Sequence, residues 1–402
     1  MRILQINTVY GEGSTGKIAK SLHDLCVANG MECLTGYRYG SMELEDSVSF
    51  STRWNSRIHG VLARYTMLNG FFSYCKTRAF LKQVDSFGPD LIQLHNLHGG
   101  YVNIPLLFRY IKKKQIPVVW TLHDCWPFTG ICYHFTTAGC NRWQSGCHHC
   151  PQRKKCSSSP IDLSGFMWKT KKKWFTGLQD ATIVTPSDWL AGLVRESFLK
   201  EYAVKTIHNG IDLQTFSPTP SDFREKHNLT NKKVVLGVAF VWGYEKGLDV
   251  FVELARRLPE DYAIVLVGTN DQVDAALPEG IISIHRTHDQ KELAQIYSAA
   301  DVFANPTREE NYPTVQMEAL ACGTPVVAFD TGGCAEIFDD TCGACVPVDD
   351  IDQMERQILR ICAEGPGLRE ACIKHARQFD KNMRHEEYIA LYKSKAESPA
   401  RT

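Results

Sequence analysis

Short aliphatic or β-branched runs alternate with amphipathic stretches along most of this chain. In the first half the runs "RILQIN", "LIQLHN", "PVVWTLHD" and "ATIVTPS" read as strands, and in the second "VVLGVAF", "YAIVLVG", "IISIHR", "DVFANP" and "PVVAFD". Apolar positions at helical spacing in "LDVFVELARRL" and "QKELAQIYSAA" place helices between them. Alternation of strand and helix predicts parallel sheets with crossover helices, and the pattern restarts after Asn209. The expectation is therefore an α/β fold of two doubly wound, Rossmann-like domains facing a cleft, with ligands at the carboxyl ends of the strands. Gly, Pro and polar residues collect in "HNGIDLQTFSPTP". The expected division is residues 1–204, then 205–384, then a last helix within 385–402 that returns to the first domain. A length of 402 residues suits two cores better than one.

Candidate chemistry concentrates in "NPTREENYPTVQMEALACGTPVVAFDTGG", where Glu310 and Glu318 are separated by seven residues. A turn carrying Glu310 can present backbone amides and a carboxylate to sugar hydroxyls, and Glu318 on the following helix can accept both hydroxyls of a ribose. Carboxylates at a helix start also satisfy the helix dipole with no ligand at all. The flanking Gly-Thr-Pro-Val-Val decides between these readings, because the whole segment resembles the E-x7-E motif of retaining, two-domain glycosyltransferases of family 4, which have the GT-B fold. The resemblance implies donor contacts from Glu310, Asn311, Tyr312, Pro313, Thr314 and Glu318. It makes Lys246 in "YEKGLDVF" a clamp on the donor diphosphate, adds Asn209 from "HNGID", and sets His123 of "WTLHD" against the donor sugar. His123, Lys246 and Glu310 are thus the expected catalytic positions. One departure stands out: the family usually places an arginine where "FVWGYEKG" has Val241. Arg286 and Arg308 are the candidate substitutes, with Arg286 carried as a donor contact. Front-face attack is implied, the leaving diphosphate taking the acceptor's proton, with no enzyme nucleophile and no cofactor required for catalysis.

The stretch "VYGEGSTGKIAKSL" reads G-x-x-x-x-G-K from Gly11 to Lys17, close to a nucleotide-triphosphate P-loop. A P-loop needs Ser or Thr after its lysine, and Ile18 stands there. In the family, a glycine turn after the first strand approaches the donor phosphates, so Gly13, Ser14, Thr15 and Gly16 are expected to offer amides at a helix N-terminus.

Cys125, Cys132, Cys140, Cys147, Cys150 and Cys156 fall within one short segment, an insertion expected over 125–156, whereas the other cysteines are scattered. The Cys147–Cys150 pair has the spacing that lets two thiolates share a metal, and Cys132 with Cys140 supplies a second pair for a structural zinc. Buried thiols, or ligation through His148 or His149, are the alternatives. The pattern H-D-x-W-x-x-T-G…G-C-x-x-W-x-x-G-C-x-x-C-P is similar to the branch of family 4 found in colanic acid, capsule and O-antigen assembly. That resemblance implies a nucleotide-sugar donor and a polyprenyl-diphosphate-linked oligosaccharide acceptor.

Composition narrows the partners. The formal net charge is zero, which argues against nucleic acid and against the rival reading of the cysteines as a zinc-finger binding module. Another GT-B enzyme, such as a sugar-nucleotide epimerase, is the nearer rival. Locally, Ser47 to Val84 holds no Asp or Glu but several Arg and Lys residues interleaved with aromatics, and "MWKTKKKWF" repeats that composition. Such segments suit an anionic membrane surface, or equally a solvated helix face over an ordinary core, and a lipid-linked acceptor favours the membrane. With no apolar run of membrane-spanning length and no signal-peptide layout, the expected location is the cytoplasm, peripheral on the inner membrane.

Overall fold

The computed structural model describes residues 1–40, 46–49 and 51–396, which gather into two compact units. Unit 1 takes residues 1–207 and the chain from His385 onward, while unit 2 runs continuously from His208 to Arg384. Among the described residues unit 1 has a seven-stranded parallel sheet of β1 (Arg2–Tyr10), β2 (Glu32–Gly40), β3 (Ser47–Ser49), β4 (Leu91–Leu94), β5 (Val118–Thr121), β6 (Ala181–Thr185) and β7 (Ala203–Thr206). Its order is β3-β2-β1-β4-β5-β6-β7. Unit 2 has a six-stranded parallel sheet of β8 (Lys233–Val238), β9 (Tyr262–Val267), β10 (Ile281–Ile284), β11 (Val302–Asn305), β12 (Val326–Phe329) and β13 (Gly343–Val346), in the order β10-β9-β8-β11-β12-β13. Strand order reverses between β1 and β4 and again between β8 and β11. Those two reversals open crevices at the carboxyl ends of the strands, where doubly wound sheets bind ligands.

The strands are parallel because both faces of each sheet are covered. In β1, Ile3 packs with Leu22, Cys26 and Val119 on one face, while Leu4 and Ile6 pack with Leu94, Trp120 and Phe175 on the other. Each such side chain contributes about 1.5–3 kcal/mol when fully buried. The helix Lys381–Ala396 completes the first face with Tyr388, Ile389 and Tyr392. Its hydroxyls also meet the polar residues of the sheet: Tyr392 donates to Gln93 Oε1 at 2.9 Å, and Tyr388 pairs with Thr121 Oγ1 at 3.1 Å. In unit 2, Val235 and Ile264 face Phe251 and Ile358, whereas Val234 and Leu236 face Met317 and Leu320.

The helices Leu248–Arg257 and Gln290–Ala299 coincide with the expected ones to within a residue. Strands β2, β3, β7 and β13 were not among the predicted runs. In "ECLTGYRYG" of β2, Thr, Arg and two Gly interrupt the apolar signal, and β7 is a half-buried edge strand. Most predicted runs extend past their strands, and those at β4, β5 and β10 leave His95, His123 and Arg286 in the loops beyond. The "MWKTKKKWF" segment is a correction. It lies in the helix Ser164–Phe175, which buries Met167, Trp168, Trp174, Phe175 and even Lys171 and exposes Lys169, Lys172 and Lys173, so it is a solvated helix face whose aromatics are core. Among the described residues no helix is long and apolar enough to cross a membrane.

Candidate active site

In unit 2 the loop after β8 ends in a short turn, Tyr244–Lys246, followed by Gly247 at φ +70°. A Cβ on Gly247 would stand 2.3 Å from the Pro306 carbonyl oxygen, so glycine is what lets this turn lie against the end of β11. The turn delivers Lys246 Nζ to 2.6 Å from Glu310 Oε2. Burial presses the Lys246 pKa down, but the Glu310 carboxylate beside it more than offsets this, and the ammonium is held above its ordinary value. Glu310 is seated from behind. Gly332 is at φ +58° with its Cα so close that a Cβ would fall 2.1 Å from the Glu310 carbonyl oxygen, and the Gly333 amide donates to Asn311 O at 2.7 Å. The glycines of "FDTGG" thus shape the loop that carries the carboxylate.

The neighbouring expected donor contacts come together there, most of them buried. His208 stacks on the Tyr312 ring with centroids 4.8 Å apart, and Asn209 Nδ2 donates to Tyr312 O at 3.4 Å. Asn311, Tyr312 and Pro313 are buried, so they shape backbone more than they present side chains. Thr314 opens the helix Thr314–Ala321, which has no side-chain cap and no acidic residue in its first turn. Its first amides keep the anion-binding character of a bare helix N-terminus. Glu318 is one turn into this helix and accepts a hydrogen bond from the Tyr297 hydroxyl at 3.1 Å. Tyr297 is buried, and burial next to Glu318 raises its pKa so that it stays a donor.

Of the two substitutes for the missing arginine, Arg308 is already committed. Its buried guanidinium forks onto both Asp249 oxygens at 2.8 Å, reaches Asp349 Oδ1 at 2.7 Å and lies over the Tyr244 ring. It also donates to Tyr244 O at 2.6 Å, so it braces the turn that carries Lys246. Arg286 is exposed just beyond β10, two strands from β8 in the sheet order.

In unit 1 the helix Gly13–Ala28 starts only two residues after β1, again with no side-chain cap and no acidic residue in the first turn. Gly13, Ser14, Thr15 and Gly16 are therefore its first turn. The four residues between the glycines of the look-alike motif are largely helix, leaving no loop to wrap a triphosphate. Lys17 is exposed on that helix.

His123 lies at the β5 end beside a group that sequence reasoning missed. Its Nε2 is 3.2 Å from His95 Nδ1, the two rings stack, and His95 Nε2 is 3.3 Å from Gln5 Oε1. The Gln5 amide nitrogen donates to Ala19 O at 2.7 Å, which fixes the amide's orientation and makes Oε1 an acceptor. It follows that His95 donates through Nε2 and accepts through Nδ1, that His123 donates through Nε2, and that His123 Nδ1 carries a lone pair. Burial lowers the His123 pKa to about 4, so this tautomer persists at neutral pH. Next to it His98 Nε2 pairs with Asp124 Oδ2 at 2.8 Å. Burial raises the Asp124 pKa, but His98 and the Trp126 amide outweigh it and keep the carboxylate ionised. The available signals were Gln5 inside the apolar run "RILQIN" and the histidines of "LHNLHGG".

Each unit therefore presents, at its strand-order reversal, polar groups suited to a phosphorylated sugar. Two family models match the chain: Glycosyltransferase Family 4 over residues 39–215 and Glycosyl transferases group 1 over residues 221–379. A putative colanic acid biosynthesis glycosyl transferase, WcaC of Escherichia coli (strain K12), is 23% identical over 98% of this chain and 100% of its own length. An N,N'-diacetylbacillosaminyl-diphospho-undecaprenol alpha-1,3-N-acetylgalactosaminyltransferase of Campylobacter jejuni is 26% identical over 50% of this chain and 57% of its own. Among solved structures, HepE of Anabaena in complex with UDP-glucose aligns with TM-score 0.67 at 14% identity, over 98% of this chain and 100% of that one. Fold and site together define a glycosyltransferase with the GT-B fold. The chain belongs to glycosyltransferase family 4, with the group 1 domain as its second half.

Proposed function

We propose that this enzyme moves a hexosyl group from a nucleotide sugar to a polyprenyl-diphosphate-linked oligosaccharide, with retention at the anomeric carbon, in assembly of a surface polysaccharide such as O-antigen or capsule. The carrying observation is the Lys246–Glu310 pair at the carboxyl ends of β8 and β11. A donor diphosphate arriving there gives Lys246 a second anionic partner and frees the Glu310 carboxylate to accept from sugar hydroxyls. In the transfer step the acceptor oxygen bonds to the anomeric carbon on the face that the diphosphate leaves. The bond to the phosphate oxygen breaks with its electron pair on that oxygen, which then takes the acceptor's proton. In unit 2, Lys246 and the bare amides at Thr314 favour the departing charge; in unit 1, the amides of Gly13–Gly16 are suited to phosphate and the His123 Nδ1 lone pair to a sugar hydroxyl. Asn209 acts on this reading through Tyr312, Glu318 holds the ribose, and Arg286 reaches the donor when it is bound. No metal is assigned to this step. The HepE complex with UDP-glucose makes uridine diphosphate sugars the first donors to try.

The lipid-linked acceptor draws support from the helix Arg53–Thr66. Trp54, Ile58, Val61, Leu62 and Tyr65 are exposed, Trp54 at 74% and Tyr65 at 59%, and their spacing puts all five on one face. Arg53, Arg57 and Arg64 line an edge of that face. An apolar stripe flanked by arginines suits the anionic cytoplasmic leaflet, where a polyprenyl carrier presents its sugar. The test is incubation of the purified enzyme with a panel of nucleotide sugars and a lipid-linked acceptor in liposomes, with the product linkage read by NMR. One nucleoside diphosphate released per sugar transferred, with the donor's anomeric configuration kept, is expected. An inverted product, an epimerised nucleotide sugar, or no turnover of any donor would sink the reading.

A further inference from the structure

The segment between Cys132 and Cys150 holds a site that the transfer chemistry does not use. Cys132, Cys140, Cys147 and Cys150 all line one cavity of about 20 Å³ in unit 1, walled also by Phe135, Trp143 and His148. A space of this size takes one water-sized sphere or one ion. Cys132 Sγ and Cys150 Sγ are 3.9 Å apart. Tetrahedral zinc with bonds of about 2.3 Å sets its sulfurs about 3.8 Å apart, so this pair already has the separation of two ligands on one metal. Cys147 Sγ accepts a hydrogen bond from the Gly130 amide at 3.2 Å, a contact that strengthens when the sulfur is a thiolate. Among the described residues the three-residue group with ligand atoms all within 4.8 Å of one another is Asp339, Cys342 and His375, so the four cysteines must draw closer by side-chain rotation around the cavity.

A second observation points to the same place. Lys171 is fully buried, with Nζ 3.4 Å from the Trp126 ring centroid and donating to Trp126 O at 2.8 Å and Thr129 O at 3.3 Å. Cys147, Asp124, Cys132 and Cys156 are the groups acting on it. Zinc held by four thiolates carries two net negative charges and adds to the negative charge of Asp124 that faces this lysine.

We propose that Cys132, Cys140, Cys147 and Cys150 bind one structural zinc ion that fixes the segment following His123 and Asp124. Each thiol gives its proton to solvent as it ligates, and the filled tetrahedron leaves no open position for substrate. The full-length chain, made without a metal-affinity tag in zinc-supplemented medium, should carry about one zinc per chain by elemental analysis. Cys147→Ser should lose it, while Cys342→Ser, in unit 2, should keep it. Cobalt exchanged into the wild-type chain should give the intense visible bands of a tetrahedral thiolate site, which keeps the idea testable if Cys147→Ser does not fold. Less than about a tenth of an equivalent of metal, zinc lost in Cys342→Ser but kept in Cys147→Ser, or a Cys132–Cys150 disulfide in the freshly purified protein would each overturn it.

Discussion

At the scale of single residues, one cation carries most of the electrostatic work assigned to the donor site. Lys246→Ala should lower kcat/KM by at least about 30-fold, since removing a charge that faces a diphosphate costs about 2 kcal/mol or more. Near-normal kcat/KM in steady-state transfer assays would mean that another group holds the phosphate. Gly247→Ala tests the turn beneath that lysine. The added methyl meets the Pro306 carbonyl, and the +70° φ is unfavourable for alanine, so a stability loss of about 1–3 kcal/mol is expected in urea unfolding. It should come with a raised KM for the donor, because Lys246 moves with the turn. A variant as stable as the parent would show that the turn can relocate freely. The bracing role of Arg308 belongs here too: the glutamates and the lysine could be read from "YEKG" and E-x7-E, but a guanidinium shared by Asp249 and Asp349 joins three distant points of the chain.

At the scale of elements, two helices decide questions that the sequence left open. In the helix Gly13–Ala28, Lys17 is exposed, so Lys17→Ala should change stability by less than about 0.5 kcal/mol and leave transfer nearly intact. A large loss in either assay would restore a phosphate role for that lysine. In the helix Arg53–Thr66, replacing Trp54, Ile58 and Tyr65 together by Ser should abolish co-sedimentation with anionic vesicles while leaving transfer to a water-soluble acceptor unchanged. Unaltered vesicle binding would locate any lipid contact elsewhere. This helix also shows what was legible beforehand and what was not. Its composition announced an unusual surface, and "MWKTKKKWF" announced the same with equal strength, yet only the first exposes its aromatic residues. Composition cannot tell a stripe exposed to solvent from one packed under Trp126; that depends on which face the rest of unit 1 covers. Strands with a continuous apolar run, such as β12 and the Val-Val-Trp of β5, were readable because burial on both faces leaves a continuous signal, whereas β2, with Thr, Arg and two Gly, did not show. The His95–Gln5 partnership was hidden for another reason: it joins β1 to the loop after β4, a pairing set by strand order and not by spacing along the chain.

At the scale of the whole molecule, acid should act first on unit 1. His59 and His123 both have pKa values lowered to about 4, in each case mainly by burial, and His95 is lowered as well. Between the ordinary value of 6.5 and about 4 the unfolded chain takes up protons that these folded histidines refuse, so stability falls as pH drops through that window and is unaffected by them above it. Urea midpoints followed from pH 7 to pH 4 should decline accordingly, and a flat profile would contradict the burial of these rings. The division of the chain has a different consequence, in time. Unit 2 is one continuous segment, whereas unit 1 lacks Tyr388, Ile389 and Tyr392 until the helix Lys381–Ala396 has been made. During synthesis the second half of the chain can therefore reach its native state while the first half is still waiting for its closing helix. Chains cut after Arg384 and tethered to the ribosome by an unstructured linker long enough to clear the exit tunnel should show unit 2 resistant to protease and unit 1 still open to it. Emergence of the helix Lys381–Ala396, and not of the first sheet, then becomes the event that commits unit 1 to its fold.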